Sequence, residues 1–184
     1  NQTMFITHQT PLSSVLFLCD SSLQVTAIDT VDFQINSMLR LQADTLFACG
    51  YGICAYSIDL GSSWKYSSVE GDNFIGLFQY NHKLLVCGEN GAVWQREQGQ
   101  QWHQISDNDH AFTQYRKYNK YLLLSNGELL RVGDKGLAGL STDGGMHWKK
   151  LEGLPEDDLM SLAETNDHKI ICVTKSGYVL SFSY

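Results

Sequence analysis

The chain has 184 residues, a formal net charge of −7 and 43% hydrophobic residues, a composition typical of one folded domain with its own core. Its four arginines and the short basic runs Arg116-Lys117 and Lys149-Lys150 give no concentrated basic face, so we exclude nucleic acid as a partner. No apolar run approaches the roughly 20 residues that a membrane helix needs, so we expect no membrane insertion.

The five cysteines indicate buried thiols rather than a disulfide framework. Their number is odd, they form no Cys-x-x-Cys pair, and four lie in apolar runs, where cysteine behaves as a small hydrophobic residue. Because disulfides persist in oxidising compartments, we expect a cytoplasmic or virion-associated protein without a signal peptide. The start at Asn1 leaves open whether the chain is complete or a processed part.

Hairpins recur along the chain. Sixteen glycines against two prolines, with many β-branched and tyrosine residues, favour short strands over helices. In chain order, the strand–turn–strand segments are "VLFLCDSSLQVTAIDTV", "FACGYGICAYSIDLGSSWKYS", "LVCGENGAVWQREQGQQWHQI", "RVGDKGLAGLSTDGGMHWKKL" and "IICVTKSGYVLSFSY". The first segment is the most degenerate copy. The sequence therefore predicts about five copies of one repeat.

Further strand-like runs lie between the hairpins: "NSMLRLQAD", "NFIGLFQYN" and "DLMSLAET". About four short strands per roughly 40 residues is the period of a β-propeller blade. We therefore predict an all-β chain, with residues 1–184 forming a single β-propeller domain of about five four-stranded blades. The sequence leaves open whether the chain is a fragment of a larger ring or a component of a larger assembly. We expect the N-terminal strand "TMFITH" to close the last blade.

Residues 111–130, "AFTQYRKYNKYLLLSNGELL", interrupt the regular spacing. They fit either an inner strand followed by an extended loop or a blade whose hairpin is "YLLLSNGELLRV". The sequence leaves the two alternatives open.

Three of the hairpins continue into an acidic-x-Gly-x-x-Trp step, whose tryptophans are 38 and 46 residues apart. An aspartate there accepts nearby backbone N–H groups, the glycine supplies a positive φ, a preceding serine adds a weaker hydrogen bond, and the tryptophan packs on a neighbouring blade. The step therefore predicts a structural turn. Its residues are Ser57, Asp59, Gly61 and Trp64; Glu97, Gly99 and Trp102; and Ser141, Asp143, Gly145 and Trp148.

The segments "SIDLGSSW" and "STDGGMHW" resemble the Asp-box, or bacterial neuraminidase repeat, with the pattern Ser/Thr-x-Asp-x-Gly-x-Thr/Ser-Trp. The first fits in full, the second departs only at His147, and "QREQGQQW" substitutes Gln95 and Glu97 for the Ser and Asp. The longer "VGDKGLAGLSTDGGMHWKKL" is similar to repeats of the photosystem II assembly/stability factor family of propellers, a resemblance that extends over about residues 45–183. It implies a propeller whose Asp boxes are structural turns on the blade periphery, away from the ligand site.

The sequence offers no convincing catalytic or metal site. A sialidase would need three arginines around the substrate carboxylate and about twice this length, so a glycoside hydrolase is the least favoured function. Glu156, Asp157 and Asp158 follow Pro155 in a turn, where carboxylates are solvated or cap a strand. The six histidines lack zinc spacing, "DNDH" lacks the order of a calcium loop, and "GENG" and "GDKG" are hairpin turns rather than phosphate loops. We expect no enzyme, no metal and no cofactor.

A binding module is the favoured function: a non-catalytic propeller that binds or scaffolds a protein within a larger assembly, as an assembly factor or a virion component. The alternative is a lectin, which would repeat one aromatic and polar pair in several blades, but these blades diverge. Tyrosine and arginine are frequent at binding hot spots, although the tyrosines could also pack between blades. The candidate binding face consists of Gln79, Tyr80, Asn81 and His82, and of Gln114, Tyr115, Arg116 and Tyr118. The partner and the oligomeric state stay open.

Overall fold

The structure is a computed structural model, and it describes residues 4–10, 13–42, 44–97, 99–106 and 116–183. Within these ranges the regular elements are sixteen β-strands and one 3-10 turn. The all-β prediction is therefore confirmed. The chain divides into two compact units, Asn1–Glu70 and Gly71–Tyr184.

The first unit begins with an antiparallel sheet in the order β1-β2-β3, formed by β1 (Met4–Thr10), β2 (Ser13–Cys19) and β3 (Val25–Val31). Strand β1 pairs with β2 along its whole length, from Met4 opposite Cys19 to Thr10 opposite Ser13. The expectation that "TMFITH" closes the last blade is therefore wrong. Strand β2 is the next strand along the chain, so β1 pairs with its sequence neighbour.

Three further strands complete the first unit: β4 (Ser37–Arg40), β5 (Leu46–Ser57) and the beginning of β6 (Lys65–Tyr80). The two halves of β5 fold back on each other. The rings of Phe47 and Tyr56 stack with centroids 5.6 Å apart, whereas nine residues of straight strand would separate them by roughly 30 Å. Gly52 has a φ of +62°, a conformation that glycine adopts without steric cost. The predicted hairpin in "FACGYGICAYS" is thus present.

Both sheets of the first unit contribute to its core. Leu16 and Val31 from the first sheet pack with Ala48 and Ala55 from β5, and Trp64 packs against this cluster. The buried Ser14 hydroxyl accepts the N–H of Ile35 at 2.8 Å, so the polar group in this core is satisfied.

The second unit continues β6 and adds ten strands: β7 (Lys83–Gly88), β8 (Val93–Arg96), β9 (His103–Ser106), β10 (Tyr118–Leu123), β11 (Leu129–Gly133), β12 (Ala138–Ser141), β13 (Lys149–Lys150), β14 (Leu159–Glu164), β15 (Ile170–Thr174) and β16 (Val179–Phe182). Strands β6 to β9 lie side by side in chain order, β10 to β13 form a four-stranded sheet, and β14 to β16 form a three-stranded one. Paired neighbours are antiparallel.

The hairpin within residues 111–130 is "YLLLSNGELLRV". Strands β10 and β11 pair with Leu122 opposite Leu130, and the N–H of Leu124 donates to the carbonyl of Glu128 at 2.8 Å. Gly127 supplies a φ of +88° in the turn. The structure therefore shows which hairpin forms. Residues 111–115 lie outside the described ranges.

Apolar side chains on facing strands form the core of the second unit. One cluster centres on Leu130, Val132, Leu159 and Ile170, which join the last two sheets. A second cluster contains Cys87, Val93, Tyr118 and Tyr121, which join the sheets of β7 and β10. All five cysteines of the chain are buried thiols, as their apolar surroundings in the sequence predict.

Candidate functional site

The turn between β5 and β6 is held together by its own side chains. The buried Ser57 hydroxyl accepts the N–H of Gly61 at 2.7 Å and donates to Oδ1 of Asp59 at 2.7 Å. Asp59 in turn accepts the N–H of Ser63 at 2.9 Å and its hydroxyl at 2.6 Å. The indole N–H of Trp64 donates to the carbonyl of Gly61 at 3.0 Å. Ser57, Asp59 and Trp64 therefore each meet a hydrogen-bond partner a few residues away.

The turn between β12 and β13 has the same hydrogen bonds. Ser141 accepts the N–H of Gly145 at 2.8 Å and donates to Asp143 at 2.9 Å, and the Trp148 indole donates to the carbonyl of Gly145 at 3.0 Å. His147 stands where the first turn has Ser63. Its backbone N–H lies 2.9 Å and its Nδ1 2.7 Å from the Asp143 carboxylate. An imidazole thus replaces a hydroxyl without altering the turn.

The two aspartates are stabilised as anions. Hydrogen bonds from Ser63 and Ser57 lower the pKa of Asp59 to about 2. Burial works to raise the pKa of Asp143, but the hydrogen bonds from His147 and Ser141 outweigh it and hold that pKa below its usual value. A carboxylate that stays ionised and is fully engaged in its own turn is a poor general acid.

In the third segment, residues 95–102, the described residues do not form this network. The Glu97 carboxylate lies 3.1 Å from Nζ of Lys83 on β7, and the carbonyl of Glu97 accepts the N–H of Gln100 at 3.0 Å. The indole nitrogen of Trp102 is buried and meets no hydrogen-bond acceptor among the described residues. Gly99 has a positive φ, at +77°. The glycine geometry is thus present although the described side chains make only a long 3.4 Å bond within the segment, from the Gln100 amide to Glu97.

Trp148 covers a buried cation. The guanidinium of Arg131, a side chain only 3% exposed, lies 3.9 Å from the centroid of the Trp148 ring and 4.0 Å from that of Tyr118. Tyr121 meets the edge of Trp148 at 5.9 Å and donates its hydroxyl to the carbonyl of Gly88 at 2.8 Å. Desolvation raises the pKa of the Tyr121 phenol well above its usual value. The tryptophan thus helps to hold an arginine inside the second unit, through contacts that the sequence motif does not record.

The candidate residues Gln79 to His82 form the end of β6 and the turn into β7. Asn81 and His82 both have positive φ, 46° and 64°, which is typical of a tight type I′ hairpin turn. Gln79, Asn81 and His82 are exposed, whereas Tyr80 packs on the next turn: a methyl group on Gly144 would lie 2.7 Å from the Tyr80 ring. Three of these four side chains are therefore available to a partner.

The second set of candidates divides differently. Gln114 and Tyr115 lie outside the described residues. Arg116 is half-buried, and Tyr118 is only 2% exposed. The expectation that Tyr118 belongs to a binding face is wrong, because its ring stacks on Arg131 in the core of the second unit. The alternative interpretation, that the tyrosines pack between blades, fits this residue, which packs in a cluster with Cys87 and Val93 of another sheet.

Gln79–His82 and the described members of the second set lie at opposite ends of the strands. Tyr80 pairs with Lys83 at the beginning of β7, whereas the N–H of Tyr118 donates to the carbonyl of Glu89, just beyond the end of β7, at 2.7 Å. Six residues of strand separate Lys83 from Glu89, which is roughly 20 Å. Gln79–His82 and Arg116 therefore do not form one site.

Three equivalent turns lie at the Arg116 end. The N–H of Glu89 donates to the carbonyl of Asn73 at 2.9 Å, that of Asp134 to Lys117 at 2.9 Å, and that of Lys175 to Asp158 at 2.8 Å. We call this group the turn row. It consists of residues 72–73 with 89–92, 116–117 with 134–137, and 157–158 with 175–178.

Aspartates close the first and third turns of the row. Asp72 accepts the N–H groups of Asn90 at 3.0 Å and Ala92 at 3.2 Å, and burial raises the pKa of Asp72 to about 6. Asp157 accepts the N–H of Ser176 at 3.2 Å. The position between them, Arg116, cannot accept a hydrogen bond. The sequence repeat does not reveal the equivalence of Asp72, Arg116 and Asp157. The repeat aligns the hairpins, whereas these three residues lie before the strand that precedes each hairpin.

In the middle turn the closing carboxylate belongs to the opposite segment of the turn, at Asp134. Asp134 accepts the N–H of Lys117 at 3.0 Å and the side-chain amide of Asn119 at 3.0 Å. The acidic run after Pro155 is engaged in the same way, since Asp158 accepts the N–H of Lys135 and pairs with Lys175 at 2.9 Å. These contacts match the expectation that the run caps a neighbouring strand.

Ser125, Glu164 and His168 come together but do not form a nucleophile relay. The Ser125 hydroxyl lies 2.7 Å from Oε1 of Glu164 and 3.1 Å from Nδ1 of His168, and the same Glu164 oxygen lies 3.2 Å from that nitrogen. A relay needs the serine and the carboxylate on different ring nitrogens. Within the described ranges there is also no group of three metal-ligating side chains, and no helix long and apolar enough to cross a bilayer.

No protein-family profile and no curated protein sequence matches this chain. Solved structures do. YCF48 bound to D1 peptide has a TM-score of 0.72 at 14% identity, over 96% of this chain and 67% of that one. The WD40 β-propeller domain of Doa1 has a TM-score of 0.67 at 13% identity, over 93% of this chain and 58% of that one. The extracellular domain of the hybrid two-component system BT4673 from B. thetaiotaomicron reaches 0.69 at 14% identity, over 97% and 27%.

These similarities show the fold. The chain is a β-propeller in fold class, as the repeat predicts. It spans about two thirds of the length of the YCF48 chain and less of the other two.

Proposed function

We propose that this chain is a non-catalytic propeller module that binds a protein partner. The similarity to YCF48, which was solved with a bound peptide, carries the proposal, because it extends over 96% of this chain. The site geometry supports the proposal. The aspartates of the two complete turns are engaged in hydrogen bonds within those turns. Polar side chains at both ends of the strands are exposed.

The finer features of the proposal come from the repeat. We assign the turns at 57–64 and 141–148 as Asp boxes with a structural role, the segment 95–102 as a degenerate copy, and residues 1–184 as one propeller domain of about five blades. The matching hydrogen bonds of the two complete turns support the assignment. An assembly-factor or virion role, and a location in the cytoplasm or a virion, belong to the same proposal.

The proposal is tested by affinity capture beside a glycan array. The full chain is immobilised, proteins retained from a lysate of the source cells are compared with those retained by heat-unfolded chain, and the same preparation is applied to the array. We expect one or a few proteins to depend on the folded chain. Broad glycan binding without a protein partner would establish the lectin alternative and overturn the proposal.

A further inference from the structure

Each turn of the turn row is flanked by one cross-strand pair of small apolar residues. The pairs are Cys87 opposite Val93, Val132 opposite Ala138, and Val173 opposite Val179. In every case the hairpin turn lies between the two partners along the chain. The three pairs therefore occupy one position that is repeated in three sheets.

In the first two sheets this position is covered by the next sheet along the chain. The first pair is fully buried, in one cluster with Tyr118 and Tyr121 of β10. The second pair is buried in the cluster that contains Leu159 of β14. Val173 and Val179 are instead 41% and 67% exposed. The described part of the chain thus leaves the third pair without the cover that the other two have.

The exposed pair belongs to a wider face of the sheet formed by β14, β15 and β16. Successive side chains of a strand point to opposite faces, and residues paired across strands share a face. The register places six residues on this face: Ser161, Ala163, Ile171, Val173, Val179 and Ser181. All six are uncharged, and all but the half-buried Ile171 are exposed.

The charged residues that border this face are already engaged. Lys169 and Lys175 flank the two ends of β15, and each pairs with an aspartate, at 2.7 and 2.9 Å. Glu164 on β14 has the register of the opposite face, where its two oxygens accept the N–H and the hydroxyl of Ser125 at 2.7 Å. Another sheet can therefore cover the face without burying an unpaired charge.

We infer that this face binds the same face of a second copy of the chain. A second copy always presents an equally uncharged surface, so no like charges meet there despite the net charge of −7. A two-fold axis parallel to β15 sets Val173 opposite Val173 of the second copy and Ser161 opposite its Val179. The small Ser161 leaves room for the larger valine, as close packing of two sheets requires. This self-association does not rest on the proposed function.

The size of the face sets the expected affinity. Three strands of about five residues cover roughly 14 Å by 17 Å. A contact of this size belongs to the small protein interfaces, which form weak complexes. We therefore expect a dissociation constant of about 10 to 100 µM for the dimer.

Sedimentation velocity of the full chain from about 1 to 300 µM tests the inference, and we expect the mass to rise from monomer to dimer. Val173→Lys and Val179→Lys should each weaken the dimer at least about tenfold, because each brings an unpaired charge into the contact. Ile58→Lys is the matched control, since Ile58 is 62% exposed in the turn after β5. It should change the dissociation constant less than about twofold.

A charge exchange at position 173 tests the two-fold arrangement. Val173→Glu should weaken the dimer as Val173→Lys does. An equimolar mixture of the two variants should associate at least about tenfold more tightly than either alone, because lysine then meets glutamate across the axis. Since Val179 lies on the outermost strand, Val179→Lys should keep the wild-type melting temperature and shows that lost association is not lost folding.

Three results would overturn the inference. The first is a wild type that stays monomeric at every concentration, which would leave the proposed function untouched. The second is an equal effect of Ile58→Lys and Val179→Lys, which would place the contact elsewhere. The third is a mixture of the two Val173 variants that associates no better than each alone, which would exclude the two-fold contact.

Discussion

The turn at 141–148 and the segment at 95–102 follow equivalent strands, yet they are stabilised in different ways. In the first, Ser141 and Asp143 bind the turn's own backbone at 2.8 and 2.9 Å. In the second, Glu97 reaches out of the turn to Lys83 on a neighbouring strand. The first network is local and partly buried. The second consists of an ion pair between side chains 36% and 43% exposed, which contributes little, and a long 3.4 Å hydrogen bond from the Gln100 amide to the Glu97 carboxylate.

The difference shows which residues of the motif determine the turn and which determine packing. Glycine with positive φ occurs in both, at Gly145 and Gly99. Only Trp148 donates its indole N–H and stacks on a cation. Where Gln and Glu replace the Ser and Asp, the positive φ of the glycine persists, but the tryptophan indole N–H meets no acceptor among the described residues.

We expect the largest difference in stability between the two regions from substitution of their tryptophans. Trp148→Ala removes an indole that packs on Arg131 and Tyr121, and we expect it to lower the free energy of unfolding by about 4 kcal/mol. Trp102→Ala should cost at least about 1 kcal/mol less, because its indole N–H has no acceptor among the described residues. Urea unfolding followed by circular dichroism measures both. Equal losses would show that the cation and the hydrogen bond add nothing to burial.

Removing the central hydroxyl should have the next largest effect. Ser141→Ala leaves the N–H of the buried Gly145 without its acceptor, and we expect a loss of about 2 kcal/mol. The equivalent change Gln95→Ala should cost less than about 0.5 kcal/mol, since the Gln95 side chain makes only a long 3.4 Å contact, with His103, among the described residues. Urea midpoints again report the result. A loss at Gln95 as large as at Ser141 would contradict the difference between the turns.

Rebuilding the degenerate turn should have a smaller effect of opposite sign. Gln95→Ser with Glu97→Asp restores the Ser-x-Asp-x-Gly spacing around Gly99 and gives up the exposed pair with Lys83. Because two local hydrogen bonds replace one exposed ion pair, we expect a gain of about 1 kcal/mol in the free energy of unfolding. Thermal melting checks it against Gln95→Ser alone, which lacks the aspartate. A lower melting temperature for the double variant would show that the turn depends on Lys83.

Sequence predicts the complete turns well because eight consecutive residues contain all of their bonding partners. The same holds for the hairpins, whose glycine turns and apolar strands are local. Arg131 between Tyr118 and Trp148 could not be predicted, since those side chains come from two strands and a turn that are distant in sequence. The sequence predicts one binding face for all the candidate residues, because it does not show which strands pair. Tyr80 and Arg116 lie at opposite ends of the strands, and this placement follows only from the way β6, β7 and β10 pair.

The smallest effect concerns pH, because the Asp59 carboxylate is accessible to solvent screening. Its hydrogen bonds lower the pKa to about 2 in the folded chain, against 3.8 ordinarily. The ionised form therefore stabilises the fold above pH 4, and that contribution disappears as the pH falls through 2. Asp59→Asn lacks this titration, so the stability difference between wild type and variant should be largest near pH 6 and shrink steadily between pH 4 and 2. Asp72 has the opposite sign, since its pKa is raised to about 6, but it is present in both chains and cancels. Urea midpoints of the two chains across this range test the sign, and parallel curves would show that the hydrogen bonds to Asp59 do not depend on its charge.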